Sequence, residues 1–265
     1  MEQIFDGCFD KTLDIEEKDS TQDLILLKES RGTLLIRIQP GCETLKLNVE
    51  SVNDSDGRIL ILQKADNEVK LDIHVNVCGD AKLRMGILDI EPKGLQLDLG
   101  ADLNESGADF EIYTAMLAEK EGPKVSSINV NQHEPHTFGN IHNFAVLYDK
   151  ARYEMAAAGR IDKGARDSES HQETRVLTLG KDHQAKVLPI LYIDENDVKA
   201  SHAMTVGQPD EDQLYYLESR GLSAASAMSL LAIGYFMPVI ELAPDETLRQ
   251  QLQAELERKA GLYGY

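Results

Sequence analysis

The chain has 265 residues, enough for one large domain or two small ones, and single all-β domains often reach about 200 to 250 residues. Its 46 Asp and Glu against 27 Lys and Arg give a formal net charge of -19, which repels a phosphate backbone, so no nucleic acid is expected as a partner. The same acidity favours solubility and also suits a basic protein surface or a cation.

The opening residues, Met1 to Gly7, show no basic region, apolar stretch and cleavage site in succession, so the expected location is cytoplasmic. Cys8, Cys42 and Cys78 lie too far apart in sequence for a CxxC pair, and neither a disulfide framework nor a compact metal motif is expected.

From Asp23 to about Tyr192 apolar residues recur at every second position between clusters of turn formers, the pattern of many short strands. Val69, Leu71, Ile73, Val75 and Val77 show it most clearly. Similar runs cover Leu34 to Ile38, Leu45 to Val49, Ile59 to Leu62, Leu95 to Leu99, Phe110 to Tyr113, Val176 to Leu179 and Val187 to Ile193. The breakers are Pro40-Gly41, Asn53 to Gly57, Cys78 to Asp80, Pro92 to Gly94, Asn104 to Gly107 and Gly122-Pro123. Such spacing fits a sandwich, a barrel or a solenoid of stacked rungs, and no hexapeptide repeat selects among them.

After Val206 the pattern becomes helical. Asp210 with Gln213 resembles a capping box ahead of Leu214 and Leu217, and Gly221 ends that helix. Ser223 caps a second helix bearing Ala227, Leu230 and Leu231, expected to end near Gly234 before Pro238. A third begins near Pro244 and Asp245, with Leu248, Leu252 and Leu256 in a narrow apolar stripe. The most apolar stretch, Ala227 to Ile240, is shorter than the roughly 20 residues of a membrane span and holds a proline, so it reads as core or interface and no membrane partner is expected.

The segment Asp197-Val-Lys-Ala-Ser-His-Ala-Met-Thr-Val-Gly-Gln-Pro-Asp-Glu-Asp-Gln-Leu-Tyr-Tyr-Leu-Glu-Ser-Arg-Gly-Leu222, followed by Gly234-Tyr-Phe236, closely resembles the signature of the SufB/SufD core domain of iron-sulfur cluster assembly. Ala158-Gly-Arg-Ile161, Gly164-Ala-Arg166 and Val176-Leu-Thr-Leu179 resemble the family's preceding rungs, and the likeness spans about Ser126 to Leu256. The resemblance implies a mainly β fold, a right-handed parallel β-helix over residues 1–206 with a C-terminal helical segment over 207–265. It implies that those helices dock a SufC-like ABC ATPase, and that the β-helix pairs with itself or with a SufB-like chain as a dimer in the SUF system.

The resemblance also locates the chemistry. His202 stands where the family carries a histidine near the inter-chain interface, and imidazole is a good ligand for iron. A SufB-type glutamate is replaced by Ala203, and a SufB-type cysteine aligns with Thr174. Iron-sulfur clusters are held mainly by thiolates, so the chain resembles the supporting SufD-type subunit more than a scaffold, with no tightly bound cofactor expected and at most a transient iron or iron-sulfur cluster at the dimer interface. His171 is the weaker second candidate ligand. A divergent scaffold, acting as a homodimer, would draw on Cys8, Cys42, Cys78 and Glu173. His133, His136 and His142 read as a surface loop because Pro135 interrupts them, and His74 and His183 as ordinary.

No phosphate-binding loop, serine elbow or HExxH motif occurs, so no enzymatic activity is expected, and a β-helix lyase or acyltransferase is the less favoured alternative. The expected partner-binding residues are Leu214, Tyr215, Tyr216, Arg220, Leu230 and Phe236, since aromatic and arginine side chains dominate interface energetics.

Overall fold

A computed structural model describes residues 1–119 and 122–259. Sixteen strands precede three helices. The strands are Glu2–Phe5 (β1), Cys8–Ile15 (β2), Asp19–Leu26 (β3), Arg31–Ile38 (β4), Thr44–Ser51 (β5), Asp56–Gln63 (β6), Val69–Val77 (β7) and Lys82–Asp89 (β8), then Leu95–Leu103 (β9), Asp109–Ala118 (β10), Lys124–Gln132 (β11), Phe138–Leu147 (β12), Arg152–Ile161 (β13), Glu169–Thr178 (β14), Gln184–Ile193 (β15) and Lys199–Gly207 (β16). The helices are Glu211–Ser219 (α1), Ala224–Ile240 (α2) and Glu246–Lys259 (α3).

Odd strands form one eight-stranded sheet in the order β1-β3-β5-β7-β9-β11-β13-β15, and even strands form a second in the order β16-β14-β12-β10-β8-β6-β4-β2. Every neighbouring pair is parallel, so the chain winds as a β-solenoid with two strands per turn. The repeat length drifts: Asp10 and Thr33, 23 residues apart, lie level on neighbouring strands, as do Phe138 and Glu169, 31 apart. This drift is why no fixed period shows in the sequence.

The alternation of β7 has a direct cause. Val69, Leu71, Ile73, Val75 and Val77 face the space between the sheets and are buried, whereas Lys70, Asp72, His74 and Asn76 face out. Even strands are apolar on both faces, as in Ile59-Leu60-Ile61-Leu62 of β6, because a second apolar cluster covers their outer side. That cluster joins Leu35, Leu60, Leu88, Leu117, Phe144 and Leu177 to Phe236, Val239, Leu252 and Leu256 of α2 and α3. Gly86 lies beneath it, where a Cβ atom would stand 2.7 Å from Leu242.

Two expectations need correction. The strands begin at Glu2 and continue to Gly207, beyond the Asp23 to Tyr192 span, because β1, β2 and β16 are edge strands whose polar residues obscure alternation. And α2 does not stop near Gly234: it runs through Pro238 to Ile240. Pro238 falls in its final turn, and Val239 and Ile240 are held in the cluster under α2. No helix among the described residues is long and apolar enough to cross a membrane.

Candidate functional site

The solenoid ends in an uncovered rung. β15 and β16 each pair on one side only, and every residue of β16 is exposed, including Met204 at 48%. Register sets His202 level with Gln172, Ala203 with Glu173 and Met204 with Thr174. Gln172 and Thr174 face the interior, so His202 and Met204 lie on the inward-facing side of the mouth.

His171 lies elsewhere. Its Nδ1 is 2.8 Å from the Ser201 hydroxyl and its Nε2 3.5 Å from Glu169, on the outer face of the same sheet. The two candidate ligands are therefore on opposite faces of sequential strands in the sheet and do not converge. Thr174 is also committed: its hydroxyl oxygen accepts from Asn143 at 3.2 Å, while the Thr114 hydroxyl donates to Asn143 at 2.8 Å. This buried polar column of Thr114, Asn143 and Thr174, in register across three strands, escapes sequence reasoning because its members are about 30 residues apart.

The thiols lie far from this mouth. The nearest along the solenoid, Cys78, precedes β8, four strand spacings from β16, which is roughly 19 Å at 4.8 Å per step. A thiolate and His202 of one chain therefore cannot share a cluster. Among the described residues no group of three or more His, Cys, Asp or Glu is placed to hold a metal ion. The three clustered histidines separate too. His133 sits between Asp162 (2.6 Å) and Asp102 (3.3 Å); burial opposes its charge, but the two carboxylates outweigh it and raise its pKa. His136 occupies a turn at φ 60, and His142 stacks on Tyr113 at 4.6 Å, its pKa lowered by burial.

The second exposed feature is α1 and the adjoining face of α2. Asp210 accepts a hydrogen bond from the Gln213 amide at 3.0 Å, and Gly221 at φ +97 ends the first helix. Ser223 then accepts from the Ser226 amide at 3.1 Å to start α2. α1 buries no residue. Tyr215 is 74% exposed, Tyr216 56% and Leu230 47%, the Arg220 guanidinium lies 5.2 Å from the Tyr216 ring, and Leu214 is half-buried. A groove of about 340 Å³ between the helices is lined by Asp212, Gln213, Tyr216, Leu217 and Leu231. Phe236 is different: at 1% exposure it belongs to the cluster beneath α2 and presents no surface to a partner.

Residues 53–235 match the family described as SUF system FeS cluster assembly, SufBD core domain. The chain is 40% identical over 121 residues to the iron-sulfur cluster assembly protein SufD of Bacillus subtilis, covering 46% of this chain and 28% of that protein. It is 27% identical over 247 residues to an iron-sulfur cluster assembly SufBD family protein of Mycobacterium tuberculosis, covering 89% and 62%. Against SufD of Escherichia coli it is 29% identical over 114 residues, 43% of this chain and 27% of that one. The chain thus spans less than two thirds of the length of these relatives.

Proposed function

The chain belongs to the SufB/SufD family of iron-sulfur cluster assembly proteins, and from that premise we propose that it is a SufD-like, non-enzymatic subunit of a cytoplasmic SUF complex. In this reading the solenoid, right-handed as nearly all parallel crossovers are, pairs through its end rung with a second copy or a SufB-like chain. The helical segment over 207–265 docks a SufC-like ABC ATPase. His202 stands at the paired mouth, where it would meet iron or a cluster in transit as cargo.

The observation that carries the reading is the exposed aromatic surface of α1 beside an apolar groove. Tyr215 and Tyr216 on α1 and Leu230 on the outer side of α2 are solvent-facing, and large amphipathic rings at low conformational cost make strong interface anchors. Leu214, half-buried, and Arg220, its guanidinium over the Tyr216 ring, flank them. Phe236 acts indirectly, by seating α2 on the solenoid.

The test is co-purification with the ABC ATPase of the same system. Removing everything after Gly207 would uncover the apolar outer face of the even sheet, so the informative variant is Tyr215→Ala with Tyr216→Ala. Retention of the ATPase by the native chain and its loss in the variant supports docking through α1; equal retention by both refutes it.

A further inference from the structure

His202 is the candidate ligand at the mouth, and the residue level with it on the neighbouring strand is only half bonded. Gln172 faces the interior at 3% exposure. Its Nε2 donates to the Ile190 carbonyl of the facing sheet at 2.8 Å, while its buried Oε1 has no partner among the described residues. The first bond fixes which way the amide lies, because an oxygen turned toward Ile190 would meet a second acceptor. Gly159 leaves the space for this reach: a Cβ there would stand 3.0 Å from Nε2.

A buried amide oxygen without a donor is costly, so its neighbours narrow the donor down. In the even sheet Gln172 stands between Ile141 of β12 and His202 of β16. The Ile141 side chain has no donor, and Leu191, which packs at the same Gly159, has none either. Ser170, two residues back on the same face, holds its hydroxyl against Gly159, on the nitrogen side of the amide. That leaves His202. Level side chains on adjacent strands stand about 4.8 Å apart, within reach of a ring that can turn. The His202 side chain is exposed and makes no hydrogen bond among the described residues, so the ring is free to do so.

We infer that Gln172 is the positioning residue of the mouth, its Oε1 accepting a hydrogen bond from the Nδ1–H of His202. Nδ1 is the ring nitrogen nearer the backbone, the one a level neighbour meets. Nε2, at the ring tip, is left without a proton and directed out of the solenoid. A bare ring nitrogen is the form that binds a metal ion, and a hydrogen bond to the other nitrogen holds the ring and raises its basicity. An amide suits this task better than a carboxylate, because it fixes the tautomer without favouring the protonated ring, which binds no metal. His133, held between two carboxylates, shows the opposite arrangement. The inference rests on the proposed role of His202 toward iron as cargo and names what orients it.

Heteronuclear NMR of the full, isotopically labelled chain reads the bond at about pH 8.5, where a free imidazole is neutral, with His202 assigned from the signals lost in His202→Ala. A free imidazole favours the Nε2–H tautomer, so the expected native signature is His202 as Nδ1–H. Gln172→Met removes the acceptor at similar volume and is expected to return His202 to the Nε2–H form, with unchanged circular dichroism identifying the variant as folded. A native His202 in the Nε2–H form, or an Nδ1–H form that persists in folded Gln172→Met, would overturn the inference, and the native tautomer decides it even where the variant does not fold. Titration with cobalt(II) ions alone reads the consequence: affinity at His202 is expected to fall about tenfold or more in Gln172→Met, and equal affinities would overturn the positioning role. Native His202 signals that ignore cobalt(II) would overturn the reading of His202 as a ligand, a failure the tautomer distinguishes from loss of the bond.

Discussion

Lys124 and Asp89 form an ion pair shut off from solvent, Nζ 2.7 Å from the carboxylate with both side chains 0% exposed. The same ammonium donates to the carbonyls of Glu91 and Lys93, so all three of its protons are used to hold the turn between β8 and β9. Removing one partner strands a buried charge. Lys124→Met is expected to lower unfolding free energy by about 3–5 kcal/mol, measured by urea denaturation, and adding Asp89→Asn should recover part of the loss.

His133 ties three turns of the odd sheet through Asp102 and Asp162. Its folded pKa is raised above the ordinary value of 6.5, so its contribution is fully present below that value and fades as pH rises through the folded pKa. His133→Ala should therefore destabilise the chain more at about pH 6 than at about pH 8.5. A penalty that grows with pH would contradict the clamp.

Phe236 and Tyr215 have opposite expected phenotypes. Phe236→Ala empties a buried site and should cost about 3–5 kcal/mol. Tyr215→Ala changes a side chain that is 74% exposed and should stay within about 0.5 kcal/mol. In ATPase binding the order reverses, with Tyr215→Ala expected to cost about 2 kcal/mol, or roughly thirtyfold in affinity. Denaturation curves and binding titrations of the two variants separate the roles.

Gly86 lets the turn after α2 rest on the even sheet, with Leu60 and Val239 also close to where a Cβ would stand. Gly86→Val is expected to cost about 1–3 kcal/mol by lifting that cover. Because the nearest atom is the tip of Leu242, pairing it with Leu242→Ala should relieve part of the strain.

What was legible in the sequence follows from which face each strand buries. β7 and β9 alternate cleanly because their outer faces meet water, and their inward sets are apparent from the text alone. Even strands, covered on both sides, lose that period and read only as apolar runs. β16 sits at an edge with nothing covering it, so its sequence carries no burial signal, and only the family likeness drew attention to His202 there. The helix caps Asp210 and Ser223 were readable because a side chain bonding an amide three residues on is a local event. The burial of Phe236, the polar column under Thr174 and the opposed directions of His171 and His202 depend on register between distant strands, which local spacing does not encode.

The proposed function requires one assembly. Light scattering of the chain mixed with the ABC ATPase of its SUF system measures it directly. The expected species contains two copies of this chain joined at their end rungs and two ATPase subunits, one on each α1 surface. A complex of one chain with one ATPase, or an ATPase that elutes alone, would contradict it.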